Sequence, residues 1–379
     1  MRFEFATATR IIFGEGTAAG LPDLARSFGM RPLIVTGASP QRTASLVSSL
    51  AAESFSVACE PTVEMIREGA LRVQETGCDV VISIGGGSVI DAGKAIAAIA
   101  TNGGEPLDFL EVVGKGQAMK APPLPFIAVP TTAGTGSEVT RNAVLGSPEH
   151  GVKASLRSPL MLPLVAVVDP ELTYGLPPEI TAYTGLDALT QVIEPYVSSR
   201  ANRLVDAICF EGIRLATGAL RRSYHNGSDK EARRDMALAS LFGGLALANA
   251  GLGVVHGFAS PLGGQWKAPH GALCAALLPH GMASNVSALR TRARQHPALE
   301  RYANISRLVT GHSEATVEDG IHWIRELCAA LNVPALREWG IEEPDLPVIV
   351  EKAETASSMK ANPIPLTQEE LMTIVSAAW

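Results

Sequence analysis

The sequence predicts an α/β N-terminal domain built on a parallel sheet, followed by an all-α C-terminal domain, with a cleft between the two. Three observations favour this fold class. Short runs rich in valine and isoleucine alternate with alanine-rich helical patterns up to about residue 175. Strand signals then fade after Pro177-Pro178. A chain of 379 residues also exceeds the usual size of a single hydrophobic core.

Four apolar runs are predicted as strands of the sheet: RPLIVTG at 31–37, DVVISIGGG at 79–87, LPFIAVPTT at 124–132 and LVAVVDP at 164–170. Apolar runs without alternation are typical of strands that are covered on both faces. Each run ends in glycine, threonine or proline, where a ligand-facing loop would begin. The first half therefore looks like a Rossmann-like domain, which we place at residues 1–175.

Long helical patterns dominate the second half, from about residue 178 to Ala330, and a mixed helical tail continues to Trp379. The segment DPELTYGLPP supplies turn residues and a fresh helix start, so the boundary between the domains should fall there. We predict an all-α domain at residues 176–379.

Charge and cysteine content exclude several classes of function. A formal net charge of −7 argues against nucleic acid as a partner, because binding to phosphate backbones normally requires a basic surface. Five scattered cysteines fit neither a disulfide framework nor a CxxC metal site, which indicates a reducing compartment. The N-terminus lacks the apolar core of a secretory signal, and the apolar stretches are too short to span a membrane. We expect a cytoplasmic protein with no membrane partner.

The segment DVVISIGGGSVIDAGK predicts a site for the pyrophosphate of a dinucleotide. A buried strand leads into glycines that let the backbone approach a phosphate, and the following helix offers its N-terminal N–H groups. The alternative is a tight turn that needs glycine for backbone reasons alone. Lys94 would add charge to such a site or be solvated.

A second loop, PTTAGTGSEVT at 130–140, carries five hydroxyl side chains that could bind phosphate, ribose or carboxamide groups. An ordinary Ser/Thr-rich turn is the alternative. The segment GEGTAAG at 14–20 nearly matches the GxGxxG fingerprint, but it has an extra residue and no acidic residue at a following strand end. We interpret it as an N-terminal turn.

Four motifs, in this order, resemble the iron-containing alcohol dehydrogenases: GGGSVIDAGKA, PTTAGTGSEVT, VDPELTYGLPPEITAYTGLDALTQVIE and VVHGFASPLGGQWKAPHGALCAALLP. The opening IIFGEGTAAGL and the closing KANPIPLTQEEL also look like the ends of that family's chains. The resemblance implies a nicotinamide cofactor and a divalent metal on the helical side. It also implies that these residues line the cofactor site: Gly86, Gly87, Ser88, Asp91, Thr131, Thr132, Ser137, Lys153 and Leu172.

The resemblance also assigns a metal site to residues that otherwise have plainer explanations. On the helix after Pro178, Asp187, Gln191 and Glu194 form a polar stripe, which taken alone would be a solvated face. His256 and His270 lie 14 residues apart, and an isolated histidine is more often a hydrogen-bonded core residue. The family match instead makes the metal ligands Asp187, Gln191, His256 and His270, suited to Fe²⁺ or Zn²⁺.

Two departures from the family pattern weaken this site. Gln191 stands where a third histidine ligand is usual, and Ser260 replaces a second histidine four residues after His256, which weakens a proton relay. His280 is a further motif histidine, with a structural role as the alternative. The resemblance thus gives the catalytic set Asp187, His256, His270 and His280.

The ribose end of the cofactor site favours NADP over NAD. In VTGASPQR, Gly37 occupies the place where NAD-preferring members commonly carry an acidic residue. Ser39 could donate to a 2′-phosphate, and Arg42 could pair with it.

The function that follows is metal-assisted hydride transfer between the nicotinamide and an alcohol/aldehyde or ketone pair. One alternative is a maleylacetate reductase that reduces a carbon–carbon double bond. A dehydroquinate synthase-like lyase is less favoured, because the motif loops of the second domain are poor in lysine and arginine. A non-catalytic binding module is the remaining alternative. We expect a homodimer.

Overall fold

A computed structural model of the chain describes residues 2–38, 40–50, 52–266 and 268–379. The chain divides into two compact units. An α/β unit contains Ala6–Thr132 and Gly136–Tyr174, and a helical unit contains the N-terminal residues up to Phe5, Ala133–Thr135 and Gly175–Trp379. The predicted fold class is confirmed, because a parallel sheet occupies the first part of the chain and helices occupy the second. The exact division at residue 175 stays a prediction.

The α/β unit is built on a parallel sheet that has six strands within the described residues, in the order β1-β8-β5-β4-β2-β3. Its strands are β1 Arg10–Phe13, β2 Pro32–Gly37, β3 Glu53–Val57, β4 Val80–Gly85, β5 Phe126–Pro130 and β8 Val165–Val168, and an antiparallel hairpin joins β6 Asn142–Ser147 to β7 Val152–Arg157. The helices of this unit are α1 Leu21–Arg26, α2 Ala44–Ser48, α3 Val63–Thr76, α4 Gly87–Asn102 and α5 Pro106–Phe109.

The four strands predicted from the sequence are β2, β4, β5 and β8, and each lies inside its predicted run. The sequence did not reveal β1, β3 or the hairpin. The run RIIF of β1 is only four residues long, and β3 is a mostly exposed edge strand of polar composition, ESFSV. An uninterrupted apolar run identifies a strand that is covered on both faces. A strand that is short or lies at the edge of a sheet lacks this pattern.

The central strand β4 shows why its sequence has no alternation. Ile82 and Ile84 pack into the apolar cluster on one face of the sheet, whereas Val81 packs into the cluster on the other face. Both faces are covered, so both sets of side chains are apolar. In the parallel register Thr36 pairs with Ile84 and Gly85 pairs with Pro130, so β2, β4 and β5 end together at one edge.

The helical unit surrounds one central helix, α6. Its helices are α6 Pro178–Val197, α7 Arg203–His225, α8 Lys230–Ala250, α9 Val254–Gln265, α10 His270–Arg292, α11 Ala298–Thr310, α12 Val317–Ala330, α13 Leu346–Glu354 and α14 Gln368–Ala378. Several begin at side chains that cap the first turn, such as Asn202 for α7 and Asp229 for α8. Helices α7, α8 and α10 pack around α6, whose second half is therefore buried on all sides, whereas its first turn is exposed.

One helix of this unit, α10, is long and apolar enough to cross a membrane by length and composition, and the bent pair α8–α9 would count as a second. However, 72% of the apolar window of α10 is buried inside the protein. Core helices of globular proteins meet the same criteria, so this is weak evidence for a membrane span.

Candidate metal centre and nucleotide loops

The polar stripe of α6 is buried. Asp187, Gln191 and Glu194 are 1%, 3% and 5% exposed, so the interpretation of this stripe as a solvated face is wrong. The reason is the position of α6, because helices packed around it leave no face of its second half to water. Buried polar groups need partners, so each of these side chains requires an explanation.

Helices α9 and α10 bring both predicted histidines to Asp187. The Nε2 atom of His256 lies 3.3 Å from the Asp187 Oδ1 atom, and the Nε2 atom of His270 lies 3.8 Å from the same oxygen. The centroids of the two imidazole rings are 5.4 Å apart. The three side chains that the resemblance grouped as a carboxylate and two imidazoles thus meet within the helical unit.

A fourth side chain, Cys274, joins this group and was missed by the sequence analysis. Its sulfur and the ligand atoms of Asp187, His256 and His270 all lie within 4.8 Å of one another, and we call these four residues the metal cluster. A disulfide framework and a CxxC site both require two cysteines, so neither pattern points to Cys274. The residue follows His270 by four positions on one helix. That spacing places two side chains on the same face of a helix, and it was the available signal.

Three buried atoms in the metal cluster or beside it have no hydrogen-bond partner among the described residues. They are Asp187 Oδ1, His256 Nε2 and, beside the cluster, Gln191 Oε1. An unsatisfied buried acceptor costs about 1–3 kcal/mol, so a fold rarely gathers several without a compensating ligand. Carboxylate, imidazole and amide atoms that face one another in this way suit a divalent cation. The residues present therefore fit the metal that the family resemblance implies.

Neighbouring side chains hold two members of the cluster in position. The His256 Nδ1 atom lies 2.7 Å from the Glu194 Oε2 atom, and the other carboxylate oxygen of Glu194 accepts a hydrogen bond from the Val255 N–H at 2.7 Å. A carboxylate oxygen accepts here, so Nδ1 donates to Glu194 and Nε2 is left to bind a cation in the cluster, either a proton or a metal ion. The Gln191 amide donates to Asp187 Oδ2 at 3.2 Å, which leaves Oδ1 facing the histidines.

The electrostatics of the cluster favour a positive charge. Burial by itself would lower the pKa of His270, but Cys274 and Asp187 outweigh it and raise that pKa to about 9. The pKa of His256 is raised for the same reason, with Glu194 adding a hydrogen bond. Burial would raise the pKa of Asp187, yet the two histidines lower it. A site that binds protons this strongly also attracts metal cations.

His280 is not brought into the metal cluster. It follows His270 by ten residues on α10, which corresponds to about 15 Å along the helix axis. Burial, followed by the charge of Arg325, lowers its pKa. Ser260, the second departure from the family pattern, is an exposed residue of α9. Among the described residues, no hydrogen bond or ion pair joins His280 to Asp187, His256 or His270.

The predicted phosphate loop lies between β4 and α4. Strand β4 ends at Gly85, Gly86 precedes the helix in extended conformation, and Gly87 and Ser88 form its first turn. A Cβ atom on Gly86 would lie 3.4 Å from the Thr132 hydroxyl oxygen, so the loop after β5 approaches closely. The Thr131 N–H also donates to the Gly85 carbonyl at 2.9 Å. The two predicted loops therefore meet at one edge of the sheet.

Asp91, Ser137 and Lys94 bind one another instead of facing outward. The Ser137 hydroxyl and the Val144 N–H both donate to the Asp91 carboxylate. Lys94 is 1% exposed, so the expectation that it adds charge to the loop or is solvated was wrong. Its ammonium group donates to the carbonyls of Ser137 and Asn142 at 2.8 and 2.7 Å and to the Thr140 hydroxyl at 3.0 Å. These residues anchor the end of the second loop on α4.

Of the remaining predicted cofactor residues, Gly37, Arg42 and Leu172 lie at or after the carboxyl ends of β2 and β8, whereas Lys153 lies near the start of β7 in the hairpin. Lys153 is on β7, with its Nζ atom 3.6 Å from a carboxylate oxygen of Glu60, and Leu172 lies in the turn after β8. Gly37 ends β2. The Arg42 Nη2 atom donates to the carbonyls of Leu172 and Tyr174 at 3.1 and 2.7 Å. Ser39 lies outside the described residues.

The GEGTAAG segment forms the turn after β1. Gly16 has a φ of 74°, in the left-handed region that favours glycine. The N–H groups of Gly16 and Ala18 donate to the two carboxylate oxygens of Asp169 at 3.1 and 3.0 Å. A side chain of the protein thus takes the N–H groups that a phosphate would need, in agreement with our interpretation of this segment as a turn.

Comparison with known proteins gives one consistent result. Residues 8–170 match the family model described as iron-containing alcohol dehydrogenase. Residues 181–379 match the model described as the C-terminal part of the Fe-containing alcohol dehydrogenase family. The four-motif resemblance is therefore confirmed.

Individual relatives cover most or all of the chain. Alcohol dehydrogenase 4 of Saccharomyces cerevisiae (strain ATCC 204508 / S288c) is 38% identical over 320 residues, which cover 84% of this chain and 81% of that protein. Lactaldehyde reductase of Escherichia coli (strain K12) is 34% identical over 383 residues, covering 97% of each. The crystal structure of a 1,3-propanediol oxidoreductase has a TM-score of 0.91 at 32% identity, with 100% of both chains covered. The chain therefore belongs to the iron-containing alcohol dehydrogenase family and is an enzyme, a nicotinamide-dependent alcohol/aldehyde oxidoreductase.

Proposed function

We propose that this enzyme reduces short aliphatic aldehydes to primary alcohols with NADPH and a divalent metal held by Asp187, His256, His270 and Gln191. One observation supports the metal most strongly: three buried atoms of Asp187, Gln191 and His256 have no hydrogen-bond partner among the described residues. A lactaldehyde reductase among the relatives, matched over 97% of the chain, supports an aldehyde as the substrate.

The side chains have distinct parts in this proposal. Asp187 and the two histidines would bind the ion, and Glu194 keeps the lone pair of His256 directed at it. Gly86, Gly87 and Ser88, at the N-terminus of α4, would bind the pyrophosphate through their N–H groups. When bound, the metal would polarise the carbonyl oxygen and the nicotinamide would supply the hydride. Because His280 and Ser260 lie away from the cluster or in solvent, we propose water as the proton donor.

The preference for NADP is proposed from the loop after β2. Gly37 offers no carboxylate that would repel a 2′-phosphate, and Arg42 places a guanidinium group on the same loop. The Arg42 Nη2 atom is bonded to two backbone carbonyls, which holds the side chain in place. In Arg42→Ala, kcat/KM should fall about tenfold with NADPH and remain unchanged with NADH. A preference of the parent enzyme for NADH by tenfold or more would rule the proposal out.

The substrate and the metal are tested together in one panel. Chelator-treated protein is reloaded with Fe²⁺ anaerobically or with Zn²⁺ and assayed with aldehydes, ketones and maleylacetate, each with NADH and NADPH. We expect lactaldehyde and similar short aldehydes to give the highest rates, and only after reloading. Full activity of the stripped protein would contradict the metal, and turnover of maleylacetate alone would favour reduction of a carbon–carbon double bond.

We further propose that the enzyme works as a cytoplasmic homodimer. All five cysteines are free in the structure, which agrees with a reducing compartment. Light scattering coupled to size-exclusion chromatography measures the oligomeric state directly, and a monomer at assay concentration would exclude the dimer.

A further inference from the structure

We propose that the Cys274 thiolate, in place of the Gln191 amide, is the fourth protein ligand of the metal, and that it makes this site a zinc site rather than an iron site. The inference rests on the proposed function, because it assumes that the metal cluster binds an ion. Gln191 then acts as a positioning residue that holds Asp187 through its amide N–H. The first observation is that Cys274 Sγ lies within 4.8 Å of all three other ligand atoms.

Two distances between ligand atoms match those around a tetrahedral zinc ion. With Zn–N and Zn–O bonds of about 2.05 Å, two such ligands of a tetrahedron are separated by about 3.3 Å. The His256 Nε2 and Asp187 Oδ1 atoms are 3.3 Å apart. A sulfur ligand at about 2.3 Å would lie about 3.6 Å from a nitrogen ligand. The Cys274 Sγ and His270 Nε2 atoms are 3.6 Å apart. A third pair, His270 Nε2 and Asp187 Oδ1, is wider at 3.8 Å, and the other three pairs all lie within 4.8 Å.

A hydrogen bond between Cys274 and His270 would also produce a separation of 3.6 Å, but it would satisfy those two atoms alone. Asp187 Oδ1 and His256 Nε2 would still be buried without a hydrogen-bond partner within the described part of the chain. An ion bound by all four residues satisfies these two atoms together with Cys274 Sγ and His270 Nε2, and it leaves only Gln191 Oε1 of the three orphaned atoms beside the cluster without a partner in the described part of the chain. The arrangement of the whole cluster, rather than the one contact, therefore favours coordination.

The position of Cys274 is suited to a ligand. The residue is fully buried on α10, one turn after His270, so both side chains leave the same face of the helix. Thiolates are soft ligands that select zinc over harder cations, and a neutral amide oxygen such as that of Gln191 is a weaker ligand for it. Zinc sites with four ligands can expand to five, so a sulfur ligand remains compatible with catalysis.

The direct test is X-ray absorption spectroscopy of the whole enzyme loaded with Zn²⁺. We expect one sulfur scatterer at about 2.3 Å, together with nitrogen and oxygen scatterers at about 2.0–2.1 Å. Co²⁺-loaded enzyme should show a thiolate-to-cobalt charge-transfer band in the near ultraviolet. Both signals are measured on the parent protein, so they do not depend on how any variant folds.

Two variants complete the test. Cys274→Ala should remove the sulfur scatterer and the cobalt band and weaken zinc binding about 10–100-fold. Cys209→Ala is the matched control, because Cys209 is equally buried in the helical unit but lies outside the cluster, and it should change neither signal. A bound zinc ion with nitrogen and oxygen ligands only would overturn this inference and leave the proposed function standing. If the parent enzyme binds no stoichiometric metal, the proposed function itself fails.

Discussion

Two buried polar clusters, one in each unit of the molecule, differ in where their positive charge comes from. In the α/β unit the chain supplies the cation itself: Lys94 is surrounded by oxygen atoms of Ser137, Thr140 and Asn142, and its Nζ atom is 3.7 Å from the Asp91 carboxylate. We call Asp91, Lys94, Ser137, Thr140 and Asn142 the lysine network. In the metal cluster, carboxylate, imidazole and thiol groups face one another without a lysine or arginine among them.

A structural network and a binding site that are both buried can be distinguished by whether their polar atoms find partners within the chain. In the lysine network, the three N–H groups of the ammonium find acceptors within the chain. In the metal cluster, acceptor atoms remain without hydrogen-bond partners in the described part of the protein. The first arrangement is complete as it stands, so it contributes to stability. The second is complete only when a cation arrives, so it contributes to function.

The largest expected effect comes from breaking the lysine network with Lys94→Met. The change removes the cation but leaves the Asp91 carboxylate and several acceptors buried, which should lower the free energy of unfolding by about 3–5 kcal/mol. This loss is measured by chemical denaturation of the whole enzyme. Binding of the nicotinamide cofactor serves as the signal that the α/β unit is still folded. Lys115→Met is the control, because Lys115 forms a solvent-screened surface pair with Asp108 and its loss should cost far less stability than that of Lys94. Equal losses in the two variants would show that the network is not structural.

Glu138 offers a second way to test the same network, through pH. Burial raises the pKa of Glu138 from its ordinary value of 4.5 to about 7, although its own backbone N–H and Lys94 act in the opposite direction. A carboxyl with a raised folded-state pKa favours folding while it is protonated. That stability is fully present below pH 4.5 and is lost as the pH rises through about 7.

Glu138→Gln should therefore raise the free energy of unfolding at pH 8 by up to about 3 kcal/mol and flatten its pH dependence between 4.5 and 7. Thermal unfolding at a series of pH values measures both quantities. Glu111→Gln, at a half-exposed residue, provides the comparison. If parent and Glu138→Gln lose stability in parallel across this range, another group is responsible.

His256→Ala tests the metal cluster from the side of the ligands. The change removes one imidazole and breaks the hydrogen bond with Glu194, so metal affinity should fall by about 100-fold and metal-stimulated turnover should be lost. Because the parent cluster is unsatisfied without an ion, the metal-free variant should lose little stability compared with Lys94→Met. Metal titration followed by calorimetry, with unfolding measured on stripped protein, separates these effects. Unchanged metal affinity would show that His256 is not a ligand.

The smallest expected effect is that of Gln191→Leu, which keeps the volume of the side chain but removes its hydrogen bond to Asp187. If Gln191 orients the carboxylate, metal affinity should fall about tenfold, or about 1.4 kcal/mol. Gln191→Glu retains an oxygen ligand but loses the amide donor, and it is the companion variant. Tighter binding by Gln191→Glu would show that position 191 ligates the ion directly, whereas weaker binding in both variants would confirm a positioning role.

The fold class, the family and three of the four residues of the metal cluster could be predicted from the sequence. Continuous apolar runs identified β2, β4, β5 and β8, because a strand covered on both faces needs apolar side chains at every position. Sequence motifs identified Asp187, His256 and His270, because the resemblance supplied their grouping. These features are encoded by residue types within short windows of the chain, so they can be recognised without knowing which segments meet in space.

Which polar residues are buried, and what they contact, could be seen in the tertiary structure but not in the sequence pattern. The sequence could not show that the stripe on α6 faces other helices, that Lys94 binds the loop after β5, or that Cys274 completes the metal cluster. Each of these outcomes depends on contacts between segments that are distant in sequence. Burial is a property of the packed unit, whereas helical periodicity reports only that one face differs from another. A polar stripe that faces water and one that surrounds a metal can therefore have the same sequence pattern.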